Sequence, residues 1–95
     1  MMDIFDVKIS PKALKNLKKV PLFIALKLQA WIDNIGHKGL NETRKTLGYH
    51  DEPLQGKRKG QRSIRLNKSY RAIYIINGNK EIKFIDVLDV NKHEY

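Results

Sequence analysis

The chain has 95 residues, no cysteine, and 19 Lys and Arg against 10 Asp and Glu, which gives a formal net charge of +9. This length leaves room for one hydrophobic core, so we predict a single domain over residues 1–95; the lack of cysteine excludes disulfides and thiolate metal sites. The positive charge favours an acidic or phosphate-rich partner. The sequence has no signal-peptide pattern and no run of ~18 apolar residues, so we predict a cytoplasmic protein with no membrane partner.

A strand and a short helix are predicted at the N-terminus. Asp3 to Ile9 alternates in polarity, as a short strand does. Ser10 is expected as the N-cap of the helix and Pro11 as its first residue, because serine caps the free N–H groups and proline has no N–H to satisfy. Pro21 ends this helix. Its apolar side is predicted to consist of Leu14 and Leu17.

The second predicted helix runs from Pro21 to about Ile35. Its apolar residues recur at helical spacing, and Gly36 is expected to form the C-terminal cap. Trp31 could stack on a nucleic-acid base, but an aromatic residue within an apolar helical stripe is more often a core residue. We therefore assign Trp31 to the core. The other members of the stripe are Ile24, Leu28 and Ile35, widened by Ala25 and Ile32.

The segment from His37 to Glu52 has a weaker pattern. Leu40 to Leu47 could form one or two helical turns that end at Gly48. His37 and His50 are not accompanied by further ligands at metal-site spacing, so both are expected at the surface.

Three strands are predicted for the C-terminal half, over 62–66, 70–76 and 81–87. Asn77-Gly78 separates the last two, and Asn-Gly between alternating apolar runs predicts a hairpin with a type I′ turn. A strand, two helices and an antiparallel meander together predict an α+β domain with the helices packed on one face of the sheet.

The predicted strands carry a dense group of basic residues. Residues 53–79 contain no Asp or Glu, and Arg65 is expected to point away from its neighbours Ile64 and Leu66. This arrangement predicts an anion-binding surface on the sheet. Its basic residues are Lys57, Arg58, Lys59, Arg62, Arg65, Lys68 and Arg71.

Cleavage of RNA requires a base for the 2′-hydroxyl, cations for the phosphate and an acid for the leaving oxygen. Arg65, Lys68 and Arg71 could supply the cations, and His93 and Tyr95 are candidates for proton transfer. From composition alone, a histidine in a charged terminal segment is more often a solvated residue. No cluster of acids is spaced to hold Mg²⁺, so we predict no metal and no cofactor.

Two features are the most characteristic of the matching segments: the pair of runs Ser63-Ile64-Arg65 and Tyr70-Arg71, and the terminal Lys92-His93-Glu94-Tyr95. In them the chain resembles the RelE/ParE superfamily of bacterial toxins, and within it the HigB and RelE branch. The resemblance covers nearly the whole chain and implies a toxin that cleaves messenger RNA, usually on the ribosome, and that a cognate antitoxin neutralises. The other matching runs are 54–56, Gly60, 66–67 and 90–91.

The resemblance also implies roles for individual residues. Arg71 matches the arginine thought to hold the scissile phosphate, and Arg65 falls close to a basic position on the preceding strand. His93 and Tyr95 match the segment that serves proton transfer and base stacking. Ser63 stands where some members carry a lysine. Glu52 stands where some HigB proteins have a histidine, for which His50 would be a displaced substitute. Contacts with RNA or the ribosome are predicted for Lys57, Arg58, Lys59, Arg62, Lys68 and Lys92.

Two other functions remain open. A ParE-like toxin would inhibit DNA gyrase through a protein interface without cutting RNA, although the terminal His93 and Tyr95 favour the nuclease. An RNA-binding module without turnover would grip phosphates through the basic sheet and stack bases on Tyr70 or Tyr74.

Overall fold

The computed structural model describes residues 3–91 and has an α+β fold, as predicted. Its helices are α1 (Pro11–Leu17) and α2 (Leu22–Thr43). Its strands are β1 (Val7–Ile9), β2 (Glu52–Pro53), β3 (Arg62–Arg65), β4 (Tyr70–Ile76) and β5 (Ile82–Asp89). The strands form one sheet in the order β1-β5-β4-β3-β2, in which β1 is parallel to β5 and the other pairs are antiparallel. The edge strand β2 was not predicted, because two residues are too few to show alternation.

The apolar stripe of α2 forms the centre of the core. Trp31 is fully buried, and its ring centroid lies 5.4 Å from those of both Tyr74 and Phe84. Edge-to-face and tilted pairs of this kind each add about 0.5–1.5 kcal/mol beyond the burial of their surface. The prediction that Trp31 is a core residue is therefore confirmed. Tyr74 is also fully buried, so the idea that it stacks on bases was wrong.

The start of α1 agrees with the prediction, but its buried side does not. The Ser10 Oγ accepts a hydrogen bond from the Ala13 N–H at 3.1 Å, and Pro11 is the first helical residue. Ala13 is the residue that α1 buries completely, whereas Leu14 is 46% exposed. Pro21 lies just before α2 as its N-cap residue.

The predicted end of α2 at Gly36 was wrong. The helical segment continues to Thr43, with a break at Gly39, whose φ of +82° is open to glycine and strained for other residues. Gly39 lies against the Asp3 side chain, and the Asp3 Oδ1 accepts a hydrogen bond from the Asn41 N–H at 3.1 Å. The Leu40 N–H donates to the Ile4 carbonyl at 2.9 Å. The break is thus made by residues more than 35 positions earlier in the chain.

The segment after the break is helical in part. Leu40–Thr43 forms one further turn, as predicted, and a 3₁₀ helix follows at Leu47–Tyr49. Gly48 lies inside that 3₁₀ helix, so its predicted role as a stop was wrong. The turn ends at His50, which has a left-handed φ of +46°.

The β4–β5 hairpin is present, but its turn is not type I′. The positive φ falls on Lys80 (+59°), outside the Asn77-Gly78 pair. The Asn77 Oδ1 accepts hydrogen bonds from the N–H groups of Asn79 and Glu81 at 3.0 and 3.1 Å, which holds a longer turn with a left-handed residue at its end.

A bulge in β5 places polar residues on the sheet face away from α2. Tyr74 pairs with Phe84 and Ile73 with Asp86, which leaves Ile85 as an extra residue. The Asp86 carboxylate receives hydrogen bonds from Arg58 at 3.0 Å and from Lys12 at 3.1 Å. Arg58 belongs to the loop 54–61 between β2 and β3. Its bond to Asp86 therefore links this loop to β5, which is separated from β3 by β4 in the sheet. Ser63 and Ile73, which are partners across β3 and β4, are completely buried.

Candidate active site

Arg71 on β4 is the centre of a hydrogen-bonded polar cluster on the sheet face away from α2. Its Nε and Nη2 donate to the Ser63 Oγ at 3.0 and 2.7 Å. Nη2 also donates to the Glu52 Oε1 at 3.1 Å and to the His50 carbonyl at 3.3 Å. A guanidinium has five N–H donors, and both N–H groups of Nη1 have no acceptor among the described residues. Arg71 is therefore held in place from one side; its side chain is 15% exposed, and the two N–H groups of Nη1 stay unpaired within residues 3–91.

Arg65 lies directly opposite Arg71 in the β3–β4 pair. Opposite residues of an antiparallel pair lie on the same face with their Cβ atoms about 4.5–5.5 Å apart. Arg65 is exposed, which confirms that its side chain points away from the buried Ile64 and Leu66. Two like charges side by side are unfavourable unless an anion lies between them, so the pair is suited to a phosphate.

A second cluster holds the 50–52 segment against the sheet. Asp51 has a side chain only 1% exposed; its two carboxylate oxygens accept hydrogen bonds from the Arg62 Nε at 2.7 Å and the Tyr74 hydroxyl at 2.6 Å. Burial, and then the negative charge of Asp51, raises the pKa of Tyr74, so this hydroxyl stays protonated and donates. The two neighbours of Asp51 in the chain both contact Arg71, His50 through its carbonyl and Glu52 through its carboxylate.

The other predicted RNA contacts fall into two groups. Lys57, Lys59 and Lys68 have exposed side chains that could meet a phosphate backbone. Arg58 and Arg62 are each ion-paired with a buried aspartate, so their charge is largely directed inward. Their role as RNA contacts stays a prediction.

Three predicted site residues, Lys92, His93 and Tyr95, lie outside the described residues, and their roles stay predictions. The described chain ends next to the β3–β4 turn: the Val90 N–H donates to the Ser69 carbonyl at 2.7 Å, and the Asn91 Nδ2 donates to the Ser69 Oγ at 3.1 Å. That turn leads into the β4 end that carries Tyr70 and Arg71.

Glu52 and Ser63 were not predicted as site residues. They are Cα partners across β2 and β3, and both contact Arg71. No local pattern of the sequence pointed to either residue, and the resemblance marked the two positions only as departures from what some members carry there. His37 and His50 have exposed side chains, as predicted, and residues 3–91 contain no group of three or more His, Asp or Glu placed to hold a metal ion.

The described residues include no helix with both the length and the apolar character needed to cross a bilayer. A family model described as the ParE toxin of type II toxin–antitoxin systems (parDE) matches residues 7–94. The chain belongs to this family, within the RelE/ParE toxin superfamily. It is a toxin of the type II toxin–antitoxin class. The comparison with curated proteins found no match.

Solved structures of similar fold come from several bacterial toxins. YafQ from E. coli strain BL21(DE3) is 21% identical, with 92% of this chain and 94% of that chain covered and a TM-score of 0.73. A YoeB/ParE toxin from Agrobacterium tumefaciens is 17% identical, with 88% and 96% covered and a TM-score of 0.67. A chain of the YoeB–YefM complex from Staphylococcus aureus is 21% identical, with 96% and 98% covered and a TM-score of 0.65. At these identities the likeness shows the fold.

Proposed function

We propose that this toxin is a metal-independent endoribonuclease that cleaves messenger RNA, on the ribosome. The observation that carries the proposal is the position of Arg71, braced by Ser63 and Glu52 beside the exposed Arg65. A preorganised guanidinium stabilises the charge that grows on a phosphate in the transition state, and a second arginine adds to the same field.

Glu52 is the described residue best placed to act as the base. Its carboxylate is 58% exposed and lies 3.1 Å from the Arg71 Nη2. With a phosphate bound at Arg71, the ribose that carries it on its 3′-oxygen would therefore have its 2′-hydroxyl within reach of Glu52. In the proposed step Glu52 takes the 2′-OH proton, the 2′-oxygen attacks phosphorus, and the bond to the 5′-oxygen breaks.

An acid must deliver a proton to the leaving 5′-oxygen. We assign this step to His93 or Tyr95, in line with the superfamily resemblance of the terminal segment. The contacts of Val90 and Asn91 with Ser69, beside the start of β4, support the assignment. The products are a 5′-hydroxyl and a 2′,3′-cyclic phosphate, which hydrolyses to a 3′-phosphate.

The same surface suggests how the toxin is controlled. Membership of a toxin–antitoxin family and the +9 charge support a cognate antitoxin with an acidic segment that covers the arginines. The exposed lysines 57, 59 and 68 would contact the RNA or ribosome, so that this binding weakens steeply with salt.

The decisive experiment is to incubate the purified toxin with programmed ribosomes and with free messenger RNA, and to identify the new ends. We expect 5′-hydroxyl ends, which a kinase labels without prior phosphatase treatment, and we expect them only with ribosomes. New 5′-phosphate and 3′-hydroxyl ends would contradict the mechanism, because metal-dependent hydrolysis by an activated water leaves those ends.

A second candidate function is inhibition of DNA gyrase, which the match to the ParE family model favours. A gyrase supercoiling assay with the same preparation separates the two functions. Inhibited supercoiling together with intact messenger RNA would establish the gyrase inhibitor and exclude the nuclease.

A further inference from the structure

A groove lies between α2 and the segment that leads into β1, at the sheet edge opposite β2. It has a volume of about 380 Å³ and is lined by both apolar and charged residues. Phe5, in its wall, is 50% exposed, which is unusual for a large aromatic residue. Gly36 forms part of the α2 side.

Gly36 has no role in the fold of the described residues. It lies inside a helical segment, its φ is not positive, and a Cβ atom built on it would meet nothing within 4 Å. A glycine inside a helix is less favourable than alanine, so Gly36 destabilises α2, and it has no role in the described fold that offsets this cost. Its consequence is space, because Gly36 lines the groove and adds no side-chain volume to it.

The charge of the groove is opposite to that of the chain. Its ionisable lining residues are Asp6, Asp33 and His37, although Lys and Arg outnumber Asp and Glu by 19 to 10 in the whole sequence. Asp6 makes no side-chain hydrogen bond or ion pair within residues 3–91, and Asp33 accepts only from the neutral Gln29 amide at 3.0 Å. Within residues 3–91, two exposed carboxylates beside an apolar wall therefore have no cationic partner.

We propose that this groove is a docking site for a segment of the antitoxin that presents an apolar side chain next to an arginine or lysine. The apolar side chain packs on Phe5 over Gly36, and the cation pairs with Asp6 and Asp33. This inference rests on the toxin–antitoxin part of the proposed function. Because the groove lies at the β1 edge beside α2, whereas Arg71 lies on the central strand β4, the antitoxin holds the toxin at a place distinct from the one it inhibits.

The first test uses peptide probes and does not depend on toxicity or cleavage. N-acetyl-Leu-Arg-Leu-amide is titrated to millimolar concentration into the labelled protein, with N-acetyl-Leu-Glu-Leu-amide as the matched probe. We expect amide NMR shifts at Phe5, Gly36 and His37 with the arginine peptide alone, and none in Gly36→Phe. Unshifted groove amides, or equal shifts with the two peptides, would overturn the proposal.

The second test measures how tightly toxin variants bind the antitoxin, which is expected to be the product of the adjacent reading frame. We expect Gly36→Phe and Asp33→Lys each to raise the Kd of this complex at least tenfold. Ala30→Phe, on the exposed side of α2, and Glu42→Lys, an exposed carboxylate outside the groove, should change it less than twofold. Cleavage by Gly36→Phe in the absence of antitoxin should equal that of the wild type.

The outcomes separate failure of the groove from failure of the proposed function. If all variants bind the antitoxin equally well, the groove is not its docking site, although the antitoxin itself is established. If the wild-type toxin does not bind this protein, both the proposed antitoxin and the proposed occupant of the groove are wrong. A toxin dimer that Gly36→Phe converts to a monomer would show that a second copy fills the groove, which also overturns the proposal.

Discussion

Arg65 and Arg71 face each other across β3 and β4, and within residues 3–91 only Arg71 is tied to other side chains, through Ser63 and Glu52. Arg71 is thus preorganised, whereas no side chain among these residues holds Arg65. This difference predicts unequal contributions to cleavage, with Arg71 as the larger.

Replacement of Arg71 by alanine should cost roughly 2–4 kcal/mol of transition-state stabilisation, because one preorganised donor is lost. Arg71→Lys keeps the charge but not the fork, so it should recover only part of the rate. Single-turnover cleavage on ribosomes measures both. The unfolding free energy should be measured in parallel, since the buried Ser63 Oγ loses its donor, at a cost of about 1–3 kcal/mol. Wild-type cleavage by folded Arg71→Ala would remove Arg71 from the mechanism.

Glu52→Gln tests the proposed base. The amide keeps the size of the side chain but takes up no proton, so cleavage should fall by about 10²–10⁴-fold. Glu42→Gln is the matched control, because Glu42 is an exposed carboxylate that is also paired with a cation, at Lys45. If Glu52 only pairs with Arg71, its variant will lose no more than a few-fold in rate.

The hydrogen bond from the Tyr74 hydroxyl to the Asp51 carboxylate is expected to stabilise the fold and to hold the 50–52 segment in place. Tyr74→Phe should lower the free energy of unfolding by about 1.5–3 kcal/mol, since a buried hydrogen bond to a charged group is lost. In a double-mutant cycle with Asp51→Ala, urea unfolding should give a coupling of roughly 0.5–3 kcal/mol. Additive effects of the two substitutions would show that the hydroxyl and the carboxylate do not interact.

Two glycines of α2 should respond in opposite directions to the same substitution. Gly39→Ala places a methyl group at a positive φ and against the Asp3 carboxylate carbon, 2.6 Å away, so it should destabilise the fold by about 1–3 kcal/mol. Gly36→Ala meets no atom and should stabilise it by up to ~1 kcal/mol. Thermal unfolding of the two variants and the wild type measures both changes in stability. A loss of stability in Gly36→Ala would show that a methyl group at position 36 meets a neighbour, which contradicts the prediction.

Asp3 should make the fold acid-sensitive. The hydrogen bond from the Asn41 N–H holds the pKa of Asp3 below its usual value of 3.8. The folded state therefore binds this proton more weakly than the unfolded state, so the contribution is present above pH ~4 and is lost as the pH falls below it. Asp3→Asn keeps an acceptor oxygen and has no such titration. Melting curves from pH 7 to pH 2 should show the two proteins converging at low pH, and parallel curves would contradict the assignment.

Several elements are determined by the sequence alone, because their signals lie close together in the chain. The cap at Ser10 and the apolar stripe around Trp31 require only neighbours within a few turns, and both predictions are confirmed. The alternation that turns Arg65 outward is equally local. The family resemblance to RelE/ParE toxins is confirmed as well, whereas the HigB branch stays a prediction.

The tertiary structure decided what depends on residues distant in sequence. Gly36 and Gly39 look equivalent in the sequence, and only the contact of Asp3 with Gly39 determines which one breaks α2. The partners of Arg71 were likewise hidden, because Glu52 lies on a strand of two residues whose pairing with β3 no local pattern shows. Strand order and side-chain contacts are set by the packing of the whole core. The sequence therefore predicts where the arginines are, and the fold determines which of them is held in place.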